Sequence, residues 1–170
     1  MPARSAKETF LMLLSHVREG TEKATKIYDE LGQMVQDPQV KEAIDARTFV
    51  SHSVLAKIDQ CFKFIGEQPV KLGGRLQEIF LEDFRKEVSE IQSPPARRLF
   101  ILAKLVHLNH LRIGEYEALV AAADASGHFG VGVLLESCLA DKLAFAERTR
   151  RLIREIAEIR IAERKGVQAA

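Results

Sequence analysis

The stretch ARRLFILAKLVHLNHLRIGEYEALVAAA, residues 96–123, decides the fold. Leu102, Val106, Ile113, Tyr116 and Val120 recur in it at helical spacing, and apolar residues reach around much of the circumference. A helix apolar on so many sides belongs among other helices, as the most buried of them. Asn109 lies on the same stripe, a polar residue where packing would be tightest. Ser93-Pro94-Pro95 precedes the segment and Ser126-Gly127 closes it.

Outward from this core helix, the pattern repeats. A first segment runs from about residue 6 to 36, with Phe10, Leu13, Leu14, Val17, Ala24, Tyr28, Leu31 and Val35 on one stripe. Ser5 with Glu8 forms a capping box at its start. Asp37-Pro38 stops it and restarts the chain, Asp as N-cap and Pro at the first helical position. The second segment, residues 38–65, carries Val40, Ile44, Val54, Leu55, Ile58, Phe62 and Ile65. Gly66, Pro69 and Gly73-Gly74 end it, and a shorter helix over residues 75–91 follows. The last segment, residues 129–165, carries Val131, Leu134, Cys138, Phe145, Leu152, Ile156 and Ile159. It would be ~55 Å long at 1.5 Å per residue, so its end is expected to project or to pack on a second subunit.

Short loops join segments one to two and three to four, which makes two antiparallel hairpins. The connection between the hairpins holds a helix of its own and must cross the bundle. The expectation is therefore an all-α chain: a ferritin-like antiparallel four-helix bundle with a long crossover containing an extra short helix.

Bulk properties are those of one globular domain over the 170 residues. Net charge is +1, with 46% hydrophobic and 29% charged residues, so no global charge draws the chain to nucleic acid or membrane. No Trp and two Tyr leave little for base stacking. The early run Phe10–Leu14 is too short for a signal peptide, and no stretch reaches the ~20 apolar residues needed to span a bilayer. Cys61 and Cys138 are expected to be buried free thiols in a reducing cytoplasm.

Each long segment has a polar interruption in mid-stripe: Thr21, His52, Asn109 with His110, and Asp141 with Lys142. Ferritin-like di-iron bundles draw a Glu from two helices and Glu-x-x-His from the other two. Here the residues three before the five histidines are Leu13, Phe49, Lys104, His107 and Ala125, none of them acidic. The ligand rule thus argues against two irons, and a shifted register that turned Glu19 or Glu22 inward is what it would need. A single divalent metal on His52, His110 and Asp141 is the chemical alternative. A hydrogen-bonded polar layer is the plainer reading. Lys142 or Arg112 could supply positive charge there, paired with Asp141 or another carboxylate; otherwise Lys142 snorkels to solvent. Gly73-Gly74 lacks the Lys-Ser/Thr of a phosphate loop. On the last segment, Arg148, Arg150, Arg151, Arg154, Arg160, Arg164 and Lys165 interleave with Glu147, Glu155, Glu158 and Glu163, which fits a solvated helix better than a nucleic-acid surface.

The chain resembles the YciE/YciF-type ferritin-like proteins of bacteria over residues 8–155. The likeness rests on Leu13-Leu14-Ser15 with Glu22-Lys23, on Lys57-Ile58-Asp59-Gln60, and on the acidic crossover Gln77-Glu78-Ile79-Phe80-Leu81-Glu82. It is strongest in Gly114-Glu115-Tyr116-Glu117-Ala118-Leu119, Gly127-His128 and Leu134-Leu135-Glu136-Ser137-Cys138-Leu139. The resemblance implies a four-helix bundle, commonly a homodimer, associated with bacterial stress and carrying carboxylates and histidine for two irons. Set against that pattern, Thr21 stands for a Glu, Phe49 and Val50 for an acidic pair, and Asn109 and Arg112 for two acids. Asp141 keeps an acid beside Ala140 and Lys142, and His52 and His110 persist. The expected function is a non-enzymatic structural or interaction protein with a degenerate di-iron site and no resident cofactor. The alternatives are a metalloprotein storing iron or handling oxygen or peroxide at an atypical site, and a helical adaptor acting through the last helix.

Overall fold

In the computed structural model, residues 5–168 are described, with side-chain surroundings through residue 159. Five helices follow one another: α1 (Ala6–Met34), α2 (Pro38–Ile65), α3 (Leu76–Ser89), α4 (Pro94–Ala125) and α5 (Phe129–Gln168). Local chemistry sets their ends. Ser5 caps α1 and exchanges hydrogen bonds with Glu8, the full capping box. The Asp37 carboxylate accepts from Val40 N at 3.0 Å, with Pro38 at the first helical position. Gly66 closes α2 at φ 68°, in the left-handed region where a side chain would be strained. Pro94 and Pro95 do not break the chain as a mere loop would. They open α4 two residues earlier than Ala96, behind Ser93 as N-cap.

The long helices form a ring in the order α1, α2, α5, α4, each neighbour antiparallel to the next. Glu42–Arg148 and Lys57–Asp141 pair α2 with α5 head to tail. Thr21 meets Tyr116 across α1 and α4. Consequently α2 and α4 run parallel on a diagonal, and only a connection spanning the bundle can join them. α3 lies in that crossover and packs on α1 and α4. The bundle is thus all-α, with the crossover helix expected from the sequence.

The buried seams alternate steps of four and three. They run Phe10, Leu14, Val17, Thr21, Ala24, Tyr28, Leu31, Val35 on α1 and Val40, Ile44, Arg47, Ser51, Val54, Ile58, Cys61 on α2. On α4 they run Leu102, Leu105, Asn109, Arg112, Tyr116, Leu119, Ala123, and on α5 Val131, Leu135, Cys138, Lys142, Phe145, Thr149, Leu152. That 3.5-residue period is the geometry of near-aligned helices packed side by side. Val106 and Val120 sit at the margin of the α4 seam, and Ile159 is exposed. The core divides into two apolar clusters. One holds Tyr28, Leu31, Ile44, Leu105 and Phe145, the other Phe10, Leu14, Ile58, Leu119 and Cys138. No helix among the described residues is long and apolar enough to cross a membrane.

Candidate functional site: a cation-lined layer in mid-bundle

Between the two apolar clusters, every seam carries polar residues: Thr21, Arg47 with Ser51, Asn109 with Arg112, and Lys142. All six are buried. The layer therefore brings together Thr21, Asn109, Arg112 and Lys142 from the expected set.

Arg112 is the best satisfied member. Its Nη2 donates to Val17 O and to Thr21 Oγ1, each at 2.7 Å, and Nη1 pairs with the Glu115 carboxylate one turn on. Thr21 Oγ1 gives its one proton to Val17 O at 2.7 Å, so Tyr116 OH, 3.1 Å away, is the donor to it. Burial pushes the Tyr116 hydroxyl up to about 12, which keeps it a neutral donor. Gly20 makes this arrangement possible, because a Cβ there would collide with Arg112 Nη1. Burial also raises the Glu115 carboxyl, outweighing the pull of Arg112, Lys142 and His16.

Lys142 has no such partner among the described residues. Its Nζ lies 4.3 Å from the centroid of the Tyr116 ring. Burial first, then the nearby Arg47 and Arg112 charges, hold its amine well below the ordinary lysine value. Asn109 Nδ2 donates to the Lys142 backbone carbonyl at 2.9 Å and ties α4 to α5, while Asn109 Oδ1 has no hydrogen-bond partner among the described residues.

Arg47 was not among the expected site residues. Its guanidinium carbon is 5.3 Å from the Tyr28 ring centroid and 5.6 Å from that of Phe145. Nε and Nη1 are buried without hydrogen-bond partners. A buried ion costs several kcal/mol, and a desolvated cation over a ring recovers about 2 kcal/mol.

Other expected positions fall outside the layer. Phe49 is 78% exposed, Val50 packs at the edge of the second apolar cluster, and His52 is exposed. Phe49, Val50 and His52 are each out of step with the inward seam of α2, which at this height is Arg47 and Ser51. His110 faces outward, with Nδ1 2.9 Å from Val106 O and Nε2 3.3 Å from Arg150 Nη2. Asp141 turns to Lys57 at 3.4 Å on the α2–α5 surface, so the expected pairing of Lys142 with Asp141 is replaced by Lys57–Asp141. Glu19 and Glu22 are engaged by Lys23 and Arg18 rather than turned into the layer. Both cysteines are free and buried, and burial raises both thiols, that of Cys61 to about 12. Arg160, Glu163, Arg164 and Lys165 lie outside the described side chains.

Among the described residues, no group of three or more His, Cys, Asp and Glu side chains is placed to hold a metal. A di-iron centre needs several carboxylate oxygens and imidazoles converging at about 2 Å. The layer offers two guanidiniums, an amine, an amide and hydroxyls, and its one adjoining carboxylate is tied to Arg112. These residues do not fit two irons.

Fold and layer together define a helical-bundle protein with a crossover helix and a positively charged mid-section. The chain belongs to the family described as a domain of unknown function, DUF892, whose model matches residues 5–162. Among solved structures it is similar to the E. coli stress protein YciF. The two share 19% identity over 92% of this chain and 99% of that one, with a TM-score of 0.86. It is also similar to YcfI of Rhodopseudomonas palustris, provisionally described as a structural protein, at 17% identity over 88% and 95% and a TM-score of 0.83. A protein of Xanthomonas campestris aligns at 16% identity over 95% and 99%, with a TM-score of 0.71. The search of curated proteins gives no significant match.

Proposed function

We propose that this chain is a non-enzymatic, stress-associated bundle protein of ferritin-like descent, kept for its shape and surface. In this reading the polar layer is a former di-iron site whose acids have been replaced. One observation carries it: Arg47, Arg112 and Lys142 are all buried at mid-height, where a metal centre would demand anionic ligands. The provisional structural role of YcfI and the stress description of YciF support the same reading.

The proposal includes a second copy of the chain. Phe49 and Phe64 on the outward side of α2, and Phe129 and Val133 on α5, remain exposed, and apolar faces of that kind mark protein–protein contacts.

The test is metal content by mass spectrometry, on protein grown with added iron and purified without chelator. The expected result is no stoichiometric metal. Two irons per chain would overturn the reading, and one metal would move it to the single-metal alternative.

A further inference from the structure

Among the described residues, the positive charge of the layer is not balanced by carboxylates. Arg112 has Glu115, a backbone carbonyl and Thr21. Arg47 pairs with no carboxylate among the described residues, and a guanidinium cannot shed its proton in the way an amine can. Tyr28 and Phe145 lie against it, a contact that reaches the π-system of a cation but not its N–H donors. Those donors radiate in the guanidinium plane, and Nε and Nη1 are buried without partners. The Tyr28 hydroxyl, at the same level of the bundle, is also buried and unpartnered. Water could satisfy these hydrogen bonds but would leave the charge uncompensated.

We propose that the middle of the bundle binds one small monovalent anion of halide size, in the plane of the Arg47 guanidinium, with the Tyr28 hydroxyl as its other donor. Arg47 and Tyr28 are both buried inside the bundle, where a monatomic ion displaces less packing than a sulfate or phosphate would. The anion stands in charge, though not in chemistry, for the reverse of a metal centre: cationic side chains around an anion in place of anionic side chains around cations. This rests on the reading of the layer as metal-free.

The experiment is thermal unfolding of the full chain in sodium chloride or bromide against sodium gluconate at equal ionic strength. The expected result is a melting temperature that rises and saturates with halide and does not respond to gluconate. Arg47→Met should keep the fold and lose the halide response. Equal melting in all three salts overturns the proposal, as does a full halide shift in Arg47→Met. Should Arg47→Met fail to fold, anomalous diffraction from bromide-soaked wild-type crystals decides. A bromide against Arg47 supports the site, and bromide confined to the surface, an adventitious ion only, overturns it. The two readings fail separately: a metal-free protein without halide response keeps the bundle reading and loses the anion, whereas stoichiometric iron removes both.

Discussion

Lys142 is the residue whose behaviour in solution is most constrained by its place. It is buried, makes no ion pair among the described residues, and shares its layer with two guanidiniums. Its amine titrates below the ordinary value of 10.5, so the unfolded chain binds the proton more tightly than the native one. The cost of burying that charge is full below the folded value and falls as pH climbs toward the unfolded one. Lys142→Met should therefore stabilise the protein at neutral pH by about 1–2 kcal/mol, in line with apolar replacements of buried ions. The gain should shrink as pH approaches the ordinary lysine value. Urea unfolding of both proteins across that range checks it, and a loss of stability at pH 7 would show that the lysine is paired after all. Thr21, Asn109 and Lys142 were legible in the sequence because each interrupts an otherwise apolar stripe, whereas Arg112 was reached through the family resemblance, where it stands for an acid. Gly20 was not, since its role depends on where the Arg112 side chain runs, and no spacing within α1 encodes that.

At the level of the helices, the ends were more legible than the rotation. Capping residues act on their own backbone, so Ser5, Asp37 and Gly66 could be read locally. Asp37 also pairs with Arg98 at 2.9 Å, which fastens the α1–α2 turn to the start of α4. Asp37→Ala should cost about 1–2 kcal/mol in urea unfolding, and Asp37→Asn, which keeps the capping oxygen, should recover roughly half. The rotation of α2 was harder. Its true seam steps from Ile44 through Arg47 and Ser51 to Val54. Apolar residues alone leave α2 unmarked between Ile44 and Val54, and across that gap Phe49 and Val50 came to stand for the layer through the family resemblance, and His52 as a polar interruption. The regular alternation of three and four carries the seam through Arg47 and Ser51, which a stripe of apolar residues passes over.

For the molecule as a whole, ring order follows from two hairpins and one crossover, so the architecture was legible once the loop lengths were. Oligomeric state depends on surfaces that no helical period specifies. If a second copy covers the outward side of α2, Phe49→Glu should convert a dimer to a monomer in size-exclusion chromatography with light scattering. Helix content should not change, because the side chain is 78% exposed within one chain. Unchanged mass would place the contact elsewhere. The seven-residue repeat of the seams has another side. A helix with only leucines along its seam could slide one repeat past its neighbours and repack almost as well. In this bundle such a slip would carry Arg112 to the level of Leu105 or Leu119, away from Thr21, the Val17 carbonyl and the gap left by Gly20. The charged layer thus works as a detent: it gives the four helices one vertical alignment among several that their apolar residues alone would tolerate.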